Sequence, residues 1–132
     1  MDFEKTIISY LKEAASPYLI IIFGSTVNGN SMAESDIDIA YLSDKALDKY
    51  TIFMTAQGLA SELNKEVDLI DLNDANTVFQ AQVVHTGKVI YCTDVRRKME
   101  FEMKAFKKYA KLNEEREPIL RKIKESGAVY EK

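Results

Sequence analysis

One cysteine, one histidine, two prolines and no tryptophan occur in these 132 residues, and each scarcity closes a route. A lone Cys92 cannot form an internal disulfide, so a reducing compartment, the cytoplasm, is the expected setting. His85 and Cys92 alone cannot assemble the nitrogen and sulfur ligands of a zinc centre. No apolar run approaches the roughly 20 residues that span a bilayer; the longest, Tyr18 to Phe23, is far shorter, and no membrane partner is expected. The opening Met1-Asp2-Phe3-Glu4-Lys5 is acidic and lacks a signal-peptide pattern. Arginine first occurs at Arg96. Residues 1–93 carry 6 Lys/Arg against 13 Asp/Glu, whereas residues 94–132 carry 12 against 8. An acidic front repels nucleic acid over most of its surface, so direct nucleic-acid binding is not expected.

What is present suits one compact α/β domain: 46% hydrophobic residues supply a core, and the length leaves little room for a second. Phe3, Ile7, Leu11 and Ala14 share one face of a helix over 3–15, closed by Ser16-Pro17. Tyr18 to Phe23 reads as a strand covered on both faces, and residues 24–35 as a polar, turn-rich connection. A second strand spans 37–42, and Ser43-Asp44 offers a cap to a helix over 45–64. A third strand spans 66–72. Asp74 can cap a helix to Thr86 that Gly87 ends, before a fourth strand over 88–92. A charged helix follows over 95–113, and a shorter one is expected from Pro118. The small mixed sheet would thus occupy a core of residues 1–94, with residues 95–132 as a helical tail packed on the same domain.

The chemistry concentrates in Phe23-Gly24-Ser25, ten residues, then Asp36-Ile37-Asp38. Gly24 follows a buried strand, where a missing side chain lets backbone approach a ligand; Ser25 adds a hydroxyl and an N–H, and together they form a cradle for outer phosphates. Asp36 and Asp38 lie two apart at a strand start, so both carboxylates leave one face while Ile37 and Ile39 enter the core. Two acids so placed repel each other unless a cation lies between them. Mg²⁺ fits, taking one or two carboxylates and completing its shell with phosphate oxygens and water; two such ions would hold both the attacking and the leaving oxygen. Asp68 is the expected third acid, with Val67 and Leu69 on the opposite face. Asp71, one step out of phase, is expected at a solvent-facing strand end unless a bulge exchanges the two.

Gly-Ser, ten residues, then Asp-x-Asp resembles the signature of the nucleotidyltransferase superfamily that includes DNA polymerase β and kanamycin nucleotidyltransferase. Ser35-Asp36-Ile37-Asp38-Ile39-Ala40, Val67 to Leu72 and Arg97-Lys98-Met99-Glu100-Phe101-Glu102 are similar to its minimal (MNT) branch, whose members include antitoxins encoded beside a HEPN-domain, HepT-like toxin. The resemblance implies a nucleotidyltransferase fold. It also implies that Asp36, Asp38 and Asp68 bind metal and carry catalysis, with Asp68 serving the acceptor hydroxyl, and that Gly24 and Ser25 hold the phosphates of ATP. The implied activity is transfer of AMP from ATP to a tyrosine of the cognate toxin, a HEPN ribonuclease, thereby neutralising it. The HEPN nuclease motif needs an arginine shortly before a histidine, and none precedes His85, so the chain is not itself the nuclease. Two alternatives stand beside this reading: a nucleotidyltransferase for a small hydroxylated molecule such as an aminoglycoside, and a non-catalytic antitoxin that binds the toxin. Arg96, Arg97, Lys104, Lys107, Lys108 and Lys111 form either a solvated helix face or a toxin contact.

Overall fold

Alternation along Ile37-Asp38-Ile39-Ala40-Tyr41-Leu42 sends successive side chains to opposite faces of a strand, and two separate cores receive them. The computed structural model describes residues 3–24 and 36–125, with side chains as far as Glu114. In chain order these form α1 (Phe3–Ala15), β1 (Pro17–Phe23), β2 (Ile37–Ser43), α2 (Lys49–Leu63), β3 (Val67–Asp71), a 3₁₀ turn (Leu72–Asp74), α3 (Thr77–Thr86), β4 (Lys88–Cys92) and α4 (Val95–Glu125). The sheet order is β3-β2-β1-β4. β1 runs antiparallel to β2 and β4, while β2 and β3 are parallel and joined by the α2 crossover. Among the described residues no helix is long and apolar enough to cross a membrane.

On one face, Ile20 and Ile22 of β1 and Ile37, Ile39 and Tyr41 of β2 pack under α1 and α2. On the other, Leu19, Ile21, Ala40 and Leu42 meet Leu72 and Val83, with Phe79 and Phe101 against them. Burial on both faces explains why β1 is a continuous apolar run. Asp36 and Asp38 share the phase of Ala40 and Leu42, so the acids belong to the α3 side of the sheet. Ala105 of α4 is buried.

Two cap assignments and the tail differ from the expectations. α2 begins at Lys49 with Asp48 as its cap, whose carboxylate accepts from Thr51 N at 2.8 Å. Ser43 and Asp44 are engaged elsewhere. The Ser43 hydroxyl donates to Ala15 O at 2.6 Å, and Asp44 accepts a two-pronged pair from Arg97 at 2.7 and 2.9 Å. Asn76, not Asp74, caps α3 through Phe79 N, because Asp74 is consumed in the 3₁₀ turn. The tail is one helix to Glu125 rather than two: strong helix formers on both sides outweigh the single hydrogen bond that Pro118 lacks.

Tyr41 is 1% exposed, yet its hydroxyl has no hydrogen-bond partner among the described residues. Burial, with Asp71 and Asp74 adding to it, pushes its pKa up to about 12. An unfolded tyrosine ionises near pH 10, so Tyr41's contribution to stability is complete below pH 10 and is lost as pH rises towards 12. The difference corresponds to roughly 2–3 kcal/mol. Tyr41→Phe should therefore flatten the alkaline loss of stability and leave the protein equally or slightly more stable at pH 7, by up to about 1 kcal/mol. Urea denaturation at pH 7 and pH 11 measures both; a Phe variant weaker at pH 7 would show that the hydroxyl has a partner.

Candidate active site

Gly24 ends β1 with φ +80°, a conformation that L side chains rarely adopt. A Cβ built on Gly24 would overlap Asp38 Oδ2, so the missing side chain is what lets the strand end approach the acid. Phe23 pairs with Asp38 across β1 and β2, and Phe23 packs edge-on against Phe79 of α3, ring centroids 5.5 Å apart. That contact fixes the strand end from the α3 side.

The third acid arrives by register. In the parallel pairing Asp38 lies opposite Asp68 and Ile39 opposite Leu69, so both carboxylates leave the same face of neighbouring strands. Asn64, in the left-handed region at φ 56°, closes α2, and Ile37 N donates to Glu66 O at 2.9 Å at the start of the pairing. The Asp38 carboxyl is held above its ordinary pKa of 3.8. Burial is the main cause, followed by the charges of Asp68 and Asp36 and a hydrogen bond with Asp68. The charges of two neighbouring acids thus bear on Asp38 at this sheet end.

Asp36 stands exposed just before β2. Among the described residues no group of three or more His, Cys, Asp or Glu side chains is placed to hold a metal ion by itself. An oxygen-only set in which two acids touch and a third stands near suits a hard cation that takes one or two carboxylates and draws the rest of its shell from phosphate and water. Ser25 lies outside the described residues. Asp71 does not compete for the third position. The register from Ile37–Val67 to Tyr41–Asp71 is continuous, which leaves Asp71 on the α2 side of β3. There it is half-buried and accepts from Asn73 N at 3.0 Å. Burial raises its pKa against that bond, with Asp74 adding to the rise.

The remaining candidates lie elsewhere. His85 is exposed on the last turn of α3, and Cys92 is half-buried. Arg97 is not a free cation of the tail. It grips Asp44 and lies 3.9 Å over the Tyr18 ring, so it ties α4 to the sheet end opposite the acids. Sequence reasoning did not anticipate a groove of about 640 Å³ that reaches Asp36 and Asp68 along the outer edge of β3. Only a strand order that leaves β3 unpaired outside creates it, and residue spacing alone does not supply that order.

Residues 5–96 match the family described as Polymerase beta, Nucleotidyltransferase. The chain is 41% identical over 102 residues to the protein adenylyltransferase MntA of Shewanella oneidensis, a stretch covering 77% of this chain and 73% of that protein. It is also similar to a crystal structure of a toxin–antitoxin with AMP-PNP, with a TM-score of 0.81, 38% identity and coverage of 91% and 97% of the two chains. A structure of the tri-AMPylated Shewanella oneidensis HEPN toxin in complex with MNT antitoxin gives a TM-score of 0.77 at 36% identity, covering 92% and 95%.

Proposed function

The chain belongs to the polymerase β nucleotidyltransferase family, and from that premise we propose that it is a Mg²⁺-dependent protein adenylyltransferase, an antitoxin that transfers AMP from ATP to a tyrosine hydroxyl of its cognate HEPN-domain toxin. The observation that carries the reading is the Asp38–Asp68 contact beside Gly24, with Asp36 within electrostatic reach. The likeness to an MntA adenylyltransferase and to complexes of such antitoxins with HEPN toxins supports the choice of acceptor.

In this reading Gly24, with Ser25 following it in sequence, receives the triphosphate at the end of β1. Asp36 and Asp38 would hold Mg²⁺, and Asp68 would share it while facing the acceptor. When bound, the metal neutralises phosphate charge and lowers the barrier to displacement at the α-phosphorus. The phenolic oxygen forms a bond to that phosphorus, and the bond to the β-phosphate bridging oxygen breaks. Pyrophosphate leaves with the electron pair, and the phenol proton passes to Asp68. A free phenol releases its proton only near pH ~10, so an adjacent carboxylate is needed at neutral pH.

Incubation of the purified chain with ATP, Mg²⁺ and its HEPN-domain toxin should increase the toxin's intact mass by whole adenylyl groups, on tyrosine. The modified toxin should stay inactive after this chain is removed, because a covalent adduct outlasts any complex. Unchanged toxin mass with fully reversible inhibition would replace the enzyme with an occluding antitoxin.

A further inference from the structure

We propose that the groove along the outer edge of β3 is the acceptor site, and that it receives an extended, net-basic peptide segment carrying the tyrosine as an added strand. The inference rests on the adenylyltransferase reading and specifies how its protein substrate docks.

Among the described residues β3 is the terminal strand on its side of the sheet. Both phases of the strand line the groove, Val67, Leu69 and Asp71 from one face and Asp68 and Ile70 from the other. A cavity meets both phases only where it wraps a bare strand edge. Glu66 O accepts from Ile37 N of β2. By strand alternation, Glu66, Asp68 and Ile70 turn their backbone groups towards β2, and Val67, Leu69 and Asp71 turn theirs into the groove. A second extended chain can satisfy those outward groups, which is how sheet edges capture peptides.

The groove's walls fit such an occupant. Ile52, Phe53 and Ala56 of α2 give an apolar side, and Phe53 is 58% exposed, although a large aromatic costs least when covered. Asp36, Glu66, Asp68, Asp71 and Asp74 outnumber Lys49 and Lys65 along the lining, so the field favours a basic segment. A ribonuclease, which must accept RNA phosphates, is a natural source of one.

Continuity with the acids decides between acceptor and nucleotide. Gly24 directly follows β1, Asp38 lies on β2 and Asp68 on β3, so the three strand ends set out a line from proposed phosphate cradle to third acid. The groove begins where that line ends. An added strand beside Asp68 brings its own side chains into the same layer, and a tyrosine there presents its hydroxyl to the carboxylate that must take the proton.

Val67→Pro removes one outward N–H at the first residue of an edge strand, a place where proline is tolerated. Phe53→Lys removes an exposed aromatic from the wall and sets a like charge against a basic segment, without touching the core. The test measures AMP transfer to the purified HEPN-domain toxin, with KM for ATP as the control for an intact fold. Both variants should raise KM for the toxin by about tenfold or more, with KM for ATP retained. Parent-like KM values for the toxin in both variants would overturn the groove while leaving the adenylyltransferase in place. No transfer by the parent protein would overturn the adenylyltransferase reading and the acceptor groove together. If Phe53→Lys instead dissolved a dimer of this chain and left KM for the toxin unchanged, the groove would belong to a second copy.

Discussion

Replacing Asp36 and Asp38 together with alanine should abolish AMP transfer, by about 10³-fold or more, and leave a folded protein. Neither side chain builds the core. Asp36 is exposed, and Asp38 is half-buried in a setting that disfavours its charge through burial and through Asp68 and Asp36. Removing two members of a mutually repelling group takes strain out of the fold, so stability should change by no more than about 1 kcal/mol. The loss falls on catalysis because triphosphate charge then has no carboxylate-held cation to meet it. Single-turnover transfer to the toxin, read beside urea denaturation of the same preparation, separates the two effects. Transfer at the parent rate would move the chemistry away from this sheet end; an unfolded variant would show that the acids brace the strands.

Gly24→Ala should cost nearly as much activity through a single methyl group. At φ +80° an alanine backbone is strained by about 1–2 kcal/mol. Its Cβ also falls on Asp38 Oδ2. The side chain and the strand end must move apart, which displaces both the proposed phosphate cradle and an acid proposed to hold metal. Misplacement on the order of 1 Å at reacting groups costs about 10²-fold. Gly87→Ala is the informative control. Its Cβ would crowd Ile21 Cγ2 and Val83 O, at the junction of α3 and β4, so it should lower thermal stability and spare the rate per folded molecule. Activity of Gly24→Ala equal to that of Gly87→Ala would mean that the close approach has no part in catalysis.

Local pattern carried most of the fold into view. Each strand was recognisable from its own residues, since β1 is apolar throughout and β2 alternates at the acids. The placement of the acids was legible because a two-residue spacing on a strand puts both on one face, and the opposite phase of Asp68 and Asp71 already separated their faces. What stayed hidden depended on distant partners. Ser43 and Asp44 look like caps until the chain brings Ala15 and Arg97 to them. Arg97 looks solvated until Tyr18 lies beneath it. The bare edge of β3 follows from strand order, a property that no segment holds by itself.

The parallel pairing of β2 with β3 also sets a timetable. β1 and β2 are antiparallel neighbours, and their association brings Gly24, Asp36 and Asp38 together early, over a short closure. Asp68 can join only after the whole α2 crossover has docked, since parallel strands cannot meet through a tight turn. A molecule with only β1 and β2 paired therefore holds Asp38 beside Gly24 without Asp68, the acid proposed to serve the acceptor. The β2–β3 pairing spans more chain than β1–β2 and less than β1–β4, which joins Leu19 to Cys92.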